Sequence, residues 1–301
     1  MKEFKGKNCF ITGAARGIGR SFALALGRLG MNLFITDVRL EELEMVRKEV
    51  EKLGVQAYAG KCNVSLFEDF EKVATEFDET LGDIDLLINN AGIGRGESIE
   101  NINLATWKKV IDTNLWSVIY STKVFLPKMI GKRSGHIVSV ASQGGILGLP
   151  GQPAYMTSKF AVVGLSEFMY GRLKNSGITV SVITPTIVTT KIWTINTSKM
   201  KYHPKMLEDH GKEKLDQVYR TMFDEVLKNG FTPDEAVEKY IEGIKNDRLY
   251  IVDNEDLYQF LALKGTNPKE YEDFLAGKHL DSAQGGRGHF LKHGIKLEDY
   301  F

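Results

Sequence analysis

Cysteine is scarce: two residues, Cys9 and Cys62, in a chain of 301. Two cannot build a disulfide framework, and both fall in predicted strands, where a free thiol acts as a small buried apolar group. Nothing here calls for an oxidising compartment. Neither sign of charge prevails, with 39 Lys and Arg against 39 Asp and Glu. Without a basic surplus the chain is not expected to bind nucleic acid or to be held on anionic lipid. Long apolar runs are missing too. The longest stretch free of Asp, Glu, Lys and Arg, Ser134 to Ser158, is broken by glycines and two prolines, so it does not read as a membrane-spanning helix. The lysine-rich opening to Lys7 leads into an apolar run stopped by Gly13 and Arg16, too short for a signal-peptide core. The expectation is a cytoplasmic protein with no membrane contact.

What is present is an alternation of short apolar runs and amphipathic stretches, the pattern of a parallel sheet covered by helices. Strands are predicted at Asn8–Thr12, Asn32–Asp37, Gln56–Cys62, Asp85–Asn89, Gly135–Val140, Ile178–Thr184 and Leu249–Val252. Helices are predicted at Ile18–Leu29, Leu40–Leu53, Phe67–Leu81, Thr106–Phe125, Tyr155–Asn175, Leu215–Leu227 and from Thr232 to about Asn246. The last opens with Thr-Pro-Asp-Glu, a capping threonine with proline in the first turn and glutamate at the third position. The fold class is α/β, a single Rossmann-type doubly wound sheet over residues 1–252, with a C-terminal extension over 253–301.

Thr12-Gly13-Ala14-Ala15-Arg16-Gly17-Ile18-Gly19 joins the first strand to the first helix. Glycines there allow a tight turn and let a pyrophosphate approach the helix N-terminus, where unpaired N–H groups favour anions. The same residues also suit a tight turn with no ligand. Asp37 ends the second strand, where a carboxylate can accept both hydroxyls of an adenosine ribose and repel a 2′-phosphate. It can equally cap the helix from Leu40. Arg16 argues the other way, since a guanidinium can pair with a 2′-phosphate. The repulsion is weighed more heavily, so the cofactor is read as NAD rather than NADP.

Tyr155-x-x-x-Lys159 places a phenol and an ammonium one helical turn apart. The ammonium is expected to lower the phenol's pKa, so that it can exchange a proton with a substrate oxygen while hydride moves. Alone, the spacing also describes a solvated helix face. Together with Thr12-Gly13-x-x-x-Gly17-x-Gly19, Asn89-Asn90-Ala91-Gly92, Asn114 and Ser142, the chain resembles the short-chain dehydrogenase/reductase family over about residues 5 to 252.

The resemblance implies that Tyr155 is the general acid/base and that Lys159 lowers its pKa and binds the nicotinamide ribose. Ser142 would hold the reacting substrate oxygen, and Asn114 would anchor a water that relays protons past Lys159. Asn90 would steady the central strand beside the cofactor, and Val188 and Thr190 would hold the nicotinamide carboxamide. Asn63 and Val64 stand where the family has Asp-Val, the Asn63 carbonyl accepting from the adenine amino group. Thr186 replaces the glycine of the family's Pro-Gly. A homo-oligomer, tetramer or dimer, is implied by the same resemblance. Read alone, Ser142 suits a turn into Gly144-Gly145, Asn114 a helix amide and Asn89–Gly92 a strand end.

A lid is expected over about residues 191–230. Ile192, Trp193, Ile195, Met200, Tyr202, Met206, Leu207, Met222 and Phe223 make it largely apolar. That suits a small-molecule substrate of apolar character, a hydroxysteroid-sized secondary alcohol or ketone, or else simply packs the lid on the core. The tail aromatics suit docking on another subunit, closing over a pocket, or cladding their own chain. His279, His289 and His293 lack the further ligand that zinc requires, so no metal is expected, and Gly285-Gly286-Arg287-Gly288 is read as a loop. The rival functions are a 3-oxoacyl thioester reductase and a non-catalytic nucleotide sensor on the same fold.

Overall fold

The computed structural model describes residues 1–94, 99, 102–193 and 202–300. Seven strands, β1 (Asn8–Thr12), β2 (Asn32–Asp37), β3 (Ala57–Lys61), β4 (Leu86–Asn89), β5 (Gly135–Val140), β6 (Ile178–Thr184) and β7 (Tyr250–Val252), form one sheet in the order β3-β2-β1-β4-β5-β6-β7. Every pairing is parallel. The order reverses between β1 and β4, which opens a crevice at the C-terminal strand ends, the place where such sheets take ligands.

Strand alternation sorts the core onto two faces. Ile11, Leu33, Ile35 and Ile88 point to one side, against Phe22 and Leu26 of α1 (Gly17–Arg28) and Tyr240 of α9 (Pro233–Lys245). Phe10, Phe34, Leu87 and Ile137 point to the other, against Phe77 of α3 (Phe67–Thr80) and Phe125 of α5 (Ser117–Lys132). Phe10 stacks on Phe34 at 5.6 Å between ring centroids and meets Phe125 at 4.7 Å. Burying both faces explains why the strands read as near-continuous apolar runs. The remaining helices of the sheet layers are α2 (Leu40–Glu51), α4 (Leu104–Ile111) and α6 (Pro153–Leu173).

Two expectations are corrected. The predicted helix Thr106–Phe125 begins earlier, at Leu104 behind an Asn103 cap whose side-chain Oδ1 accepts from the Ala105 and Thr106 N–H groups. It is then interrupted by a π turn, Asp112–Trp116; apolar periodicity does not register one extra residue in a turn. The predicted loop Gly285–Gly288 instead lies inside α11 (Pro268–Lys292). Each helical glycine costs only about 1 kcal/mol, and the helix is anchored at both ends. Asn267 caps its start, and Phe290 is buried near its finish.

The segment after β6 carries α7 (Pro204–His210) and α8 (Lys212–Leu227), and the chain after β7 forms α10 (Asp256–Thr266) and α11. Thr232 and Glu235 make the expected capping box at the start of α9. Met206, Leu215 and Val218 of α7 and α8 bury against Phe290 and Ile295. At the other end of α11, Tyr271 and Phe274 join Leu257, Phe260 and the loop residues Ile146 and Leu147 in a second cluster. The tail therefore clads its own chain, spanning from the loop after β5 to helices α7 and α8. Of the expected lid residues, Met206 is buried, Tyr202, Met222 and Phe223 are half-buried, and Ile192 and Leu207 are exposed. Ile195, Met200 and the Trp193 side chain lie outside the described residues. No helix among the described residues is long and apolar enough to cross a membrane.

Candidate active site

The glycine turn leaves β1 with Gly13 at φ +68° and Gly17 at φ +57°, values in the region that favours glycine. A Cβ on Gly13 would sit 2.8 Å from the Ala91 Cα, and one on Gly19 would sit 2.3 Å from the Gly13 carbonyl oxygen. Asn90 locks this turn. Its Nδ2 donates to the carbonyls of Thr12 and Gly13 at 2.9 and 3.0 Å, while the N–H groups of Asn90 and Ala91 both donate to Thr12 Oγ1. Arg16, half-buried, precedes α1 without a side-chain cap. The first-turn N–H groups of Gly17, Ile18 and Gly19 thus begin a helix whose dipole favours an anion.

Asp37 is buried at the end of β2, and Oδ2 accepts from the Ala15 N–H at 3.2 Å. Its other oxygen accepts from both the main-chain N–H and the guanidinium of Arg39, each at 3.1 Å. Helix α2 starts behind Arg39, so Asp37 is not its cap. Arg39 escaped the sequence reading, because a basic residue two places after an acidic one carries no pattern of its own. Asn63 Oδ1 accepts from the N–H and hydroxyl of Ser65, and Val64 beside it is buried.

Across the switch point, Asn114 lies in the π turn, buried. Its Oδ1 accepts from Ile93 N–H at 2.8 Å, and its Nδ2 donates to the Ile93 carbonyl and to Ser158 Oγ, both at 3.0 Å. Ser158 donates in turn to the Tyr155 carbonyl at 2.7 Å. This clamp between α6 and the π turn was not foreseen, since serine on a helix has no distinctive signal. Ser142 Oγ accepts from Gly144 N–H at 3.1 Å, and its hydroxyl acts to lower the pKa of the Tyr155 phenol.

The Lys159 ammonium is buried and donates to the Val140 carbonyl at 2.8 Å, with Nζ 5.5 Å from the centroid of the Tyr155 ring. Burial lowers it to about 8. Burial also raises the Tyr155 phenol above its ordinary value, the Ser142 hydrogen bond opposing this in part. The expected depression of the phenol is therefore not a property of the protein alone. Desolvation is the largest cause of the shift in both groups.

After β6, Val188 is buried and bridges to Phe231. A methyl of Thr190 lies 3.2 Å from where a Gly17 Cβ would be, so this loop returns to the glycine turn. The side chains Asn114, Ser142, Tyr155 and Lys159 are thus gathered on one side of the crevice, with the anion-favouring turn and Asp37 on the other. A dinucleotide fits such a site: the cradle is too tight for side chains, its helix start suits a pyrophosphate, and the carboxylate beyond suits ribose hydroxyls. Among the described residues no three His, Cys, Asp or Glu side chains group for a metal. His289 instead bonds Thr221 and the Val218 carbonyl through Nε2 and faces Glu225 through Nδ1.

Residues 7–201 match the family model of short chain dehydrogenases. A 3-oxoacyl-(acyl-carrier-protein) reductase of Staphylococcus epidermidis is 35% identical over 180 residues, 60% of this chain and 74% of that one. Epidermal retinol dehydrogenase 2 of Mus musculus is 30% identical over 273 residues, 89% of this chain and 80% of that one. A crystal structure of a short chain dehydrogenase/reductase from Burkholderia phymatum in complex with NAD superposes with a TM-score of 0.77 at 28% identity, covering 89% of this chain and 96% of that one. The match in sequence, over more than half the chain, agrees with the sheet order and the crevice, and places this protein in the short-chain dehydrogenase/reductase family of oxidoreductases.

Proposed function

We propose that the protein transfers hydride between a nicotinamide cofactor, NAD in preference to NADP, and an apolar secondary alcohol or its ketone, of steroid-like size. One observation carries the reading: the Lys159 ammonium lies 5.5 Å from the centroid of the Tyr155 ring, at the crevice edge facing the glycine turn. When bound, the cofactor donates or accepts the hydride. The chain supplies the proton. Tyr155, kept protonated by burial, gives its hydroxyl proton to the substrate oxygen in reduction and takes it back in oxidation. Ser142 orients that oxygen. Lys159, with a water anchored by Asn114, restores the proton from solvent, Lys159 because an ammonium near 8 releases and regains a proton readily at neutral pH.

For the cofactor, Asp37 supports NAD, and Arg16, Val64, Asn63, Val188 and Thr190 complete the binding set. For the substrate, support comes from the uncharged wall Ser134–Ser158. The similarity to the mouse enzyme, named for retinol, covers 89% of this chain. In this reading residues 1–252 are the catalytic unit and 253–301 an extension. The protein works in the cytoplasm as a dimer or tetramer.

The similarity to the staphylococcal reductase favours a second reading, reduction of 3-oxoacyl thioesters. That match covers 60% of the chain, and the balanced charge and Asp37 speak against an acidic carrier with NADPH. A panel of steroids, apolar secondary alcohols and ketones, retinol and 3-oxoacyl thioesters, assayed with both nicotinamides, decides. Turnover of apolar ketones with NADH is expected. Preference for acyl thioesters selects the second reading, and cofactor binding without any turnover rejects catalysis in favour of sensing.

A further inference from the structure

Thr186, standing where the family has glycine, turns both of its donors onto one carboxylate. Its N–H lies 3.1 and 3.0 Å from the two oxygens of Asp253, and its hydroxyl donates to Oδ1 at 2.8 Å. Asp253 follows β7 directly and is buried. Tyr240 of α9 donates to its Oδ2 at 2.7 Å. A buried carboxylate is tolerated only when its oxygens are satisfied, and here three donors do so.

The brace continues past the carboxylate. Lys239 donates to the Asp253 carbonyl at 2.8 Å, and its ammonium lies 4.0 Å from the centroid of the Phe231 ring. The Phe231 main chain accepts from the Thr189 N–H at 2.8 Å and donates to the Ile187 carbonyl at 2.9 Å. The loop from Pro185 to Thr190 is thereby gripped at two places, Thr186 by Asp253 and residues 187–189 by Phe231, with Lys239 joining the grips. Thr186 and Asp253 lie just past the ends of β6 and β7, while Tyr240 of α9 also packs on Phe22 of α1. Asp37 and the glycine turn lie on the β1–β2 side of the switch point.

We infer that Asp253 is a positioning residue for the nicotinamide half of the cofactor. By pinning Thr186 it sets the loop that carries Val188 and Thr190, and its own hydrogen bonds, to Thr186, Lys239 and Tyr240, include neither Asp37 nor the glycine turn. The inference rests on the proposed nicotinamide function.

The test compares binding of the intact nucleotide with binding of its adenosine half, by calorimetry on the full-length chain. The nucleotide is NADH or NADPH, whichever the wild type binds more tightly, paired with ADP-ribose or its 2′-phosphate. Asp253→Asn, which sets an amide donor against the Thr186 donors, and Thr186→Val are each expected to weaken the nicotinamide nucleotide on the order of tenfold. Binding of the ADP-ribose partner stays within about twofold, and Thr186→Ser, which keeps both donors, binds like wild type. If Asp253→Asn fails to fold, the Thr186 pair carries the same comparison. Equal weakening of both ligands, or none, overturns the positioning role. A wild type that binds neither ligand overturns the functional reading, and the inference falls with it.

Discussion

Arg39 holds the outer oxygen of Asp37 by a guanidinium contact of 3.1 Å, while the inner oxygen takes the Ala15 N–H of the glycine turn. The carboxylate is thus fixed between the turn and the start of α2, with its charge partly neutralised by a side chain that could leave it. Two opposed features stand at one spot. Asp37 repels a 2′-phosphate, and Arg39, once released, attracts one.

Asp37→Ala is therefore expected to raise the NADP-to-NAD ratio of kcat/KM by at least about tenfold, since a like-charge clash is removed and a guanidinium is freed. Adding Arg39→Ala should give back much of that gain. Steady-state kinetics with both cofactors measure it. An unchanged ratio in the single variant means that Asp37 only ties the turn to α2.

Tyr155→Phe keeps the ring and removes the proton. Turnover should fall by roughly a thousandfold, the scale of a positioned acid or base, with cofactor affinity held within about twofold. Substantial residual turnover with the phenol absent would assign the proton transfer to another group.

The strands were legible because a sheet buried on both faces writes itself as unbroken apolar runs, as in Cys9–Ile11 and Leu86–Ile88. The Ser142, Tyr155 and Lys159 set came from the family resemblance, and α6 carries Tyr155 and Lys159 one turn apart, with Lys159 5.5 Å from the Tyr155 ring centroid. What could not be read were partners distant in sequence. Asp253 answers Thr186 across 67 positions, and Ser158 answers Asn114 across 44. Neither leaves a local pattern, since hydroxyls and carboxylates are common wherever a chain meets water. Helix α11 was missed at Gly285–Gly288 for a different reason: its continuity comes from the burial of Phe290 on the lid, not from local propensity.

Lys159 is expected to weaken the fold it serves. Its ammonium titrates near 8 in the folded protein against an ordinary 10.5, so the folded state holds that proton less tightly than the unfolded chain does. The cost is complete below pH 8 and fades as pH climbs from about 8 to 10.5, where the unfolded chain gives up the same proton. The full gap corresponds to about 3 kcal/mol. Lys159→Met, inactive as an enzyme, should gain stability relative to wild type at pH 7, and the advantage should shrink by about 2–3 kcal/mol by pH 10.5. Urea unfolding at the two pH values measures the change. A pH-independent difference would mean that the ammonium is not desolvated.

The packing of the tail on α7 and α8, the expected lid, makes the last prediction. Phe290 is 2% exposed and meets Tyr219 edge-on at 4.9 Å, in the cluster with Met206, Leu215 and Val218. Leu291, the next residue, is 56% exposed. Truncating a buried phenylalanine costs about 3–5 kcal/mol. Because α8 belongs to a cluster separate from the two sheet faces, the loss should appear first as local opening rather than global unfolding. Phe290→Ala should therefore speed amide exchange across Lys212–Leu227 and raise KM for an apolar substrate, with little effect on the cofactor's KM. Leu291→Ala, changing only exposed surface, should do neither. If α8 exchanges at the wild-type rate in Phe290→Ala, the tail clads the lid without holding it, and substrate selection must be sought in the lid alone.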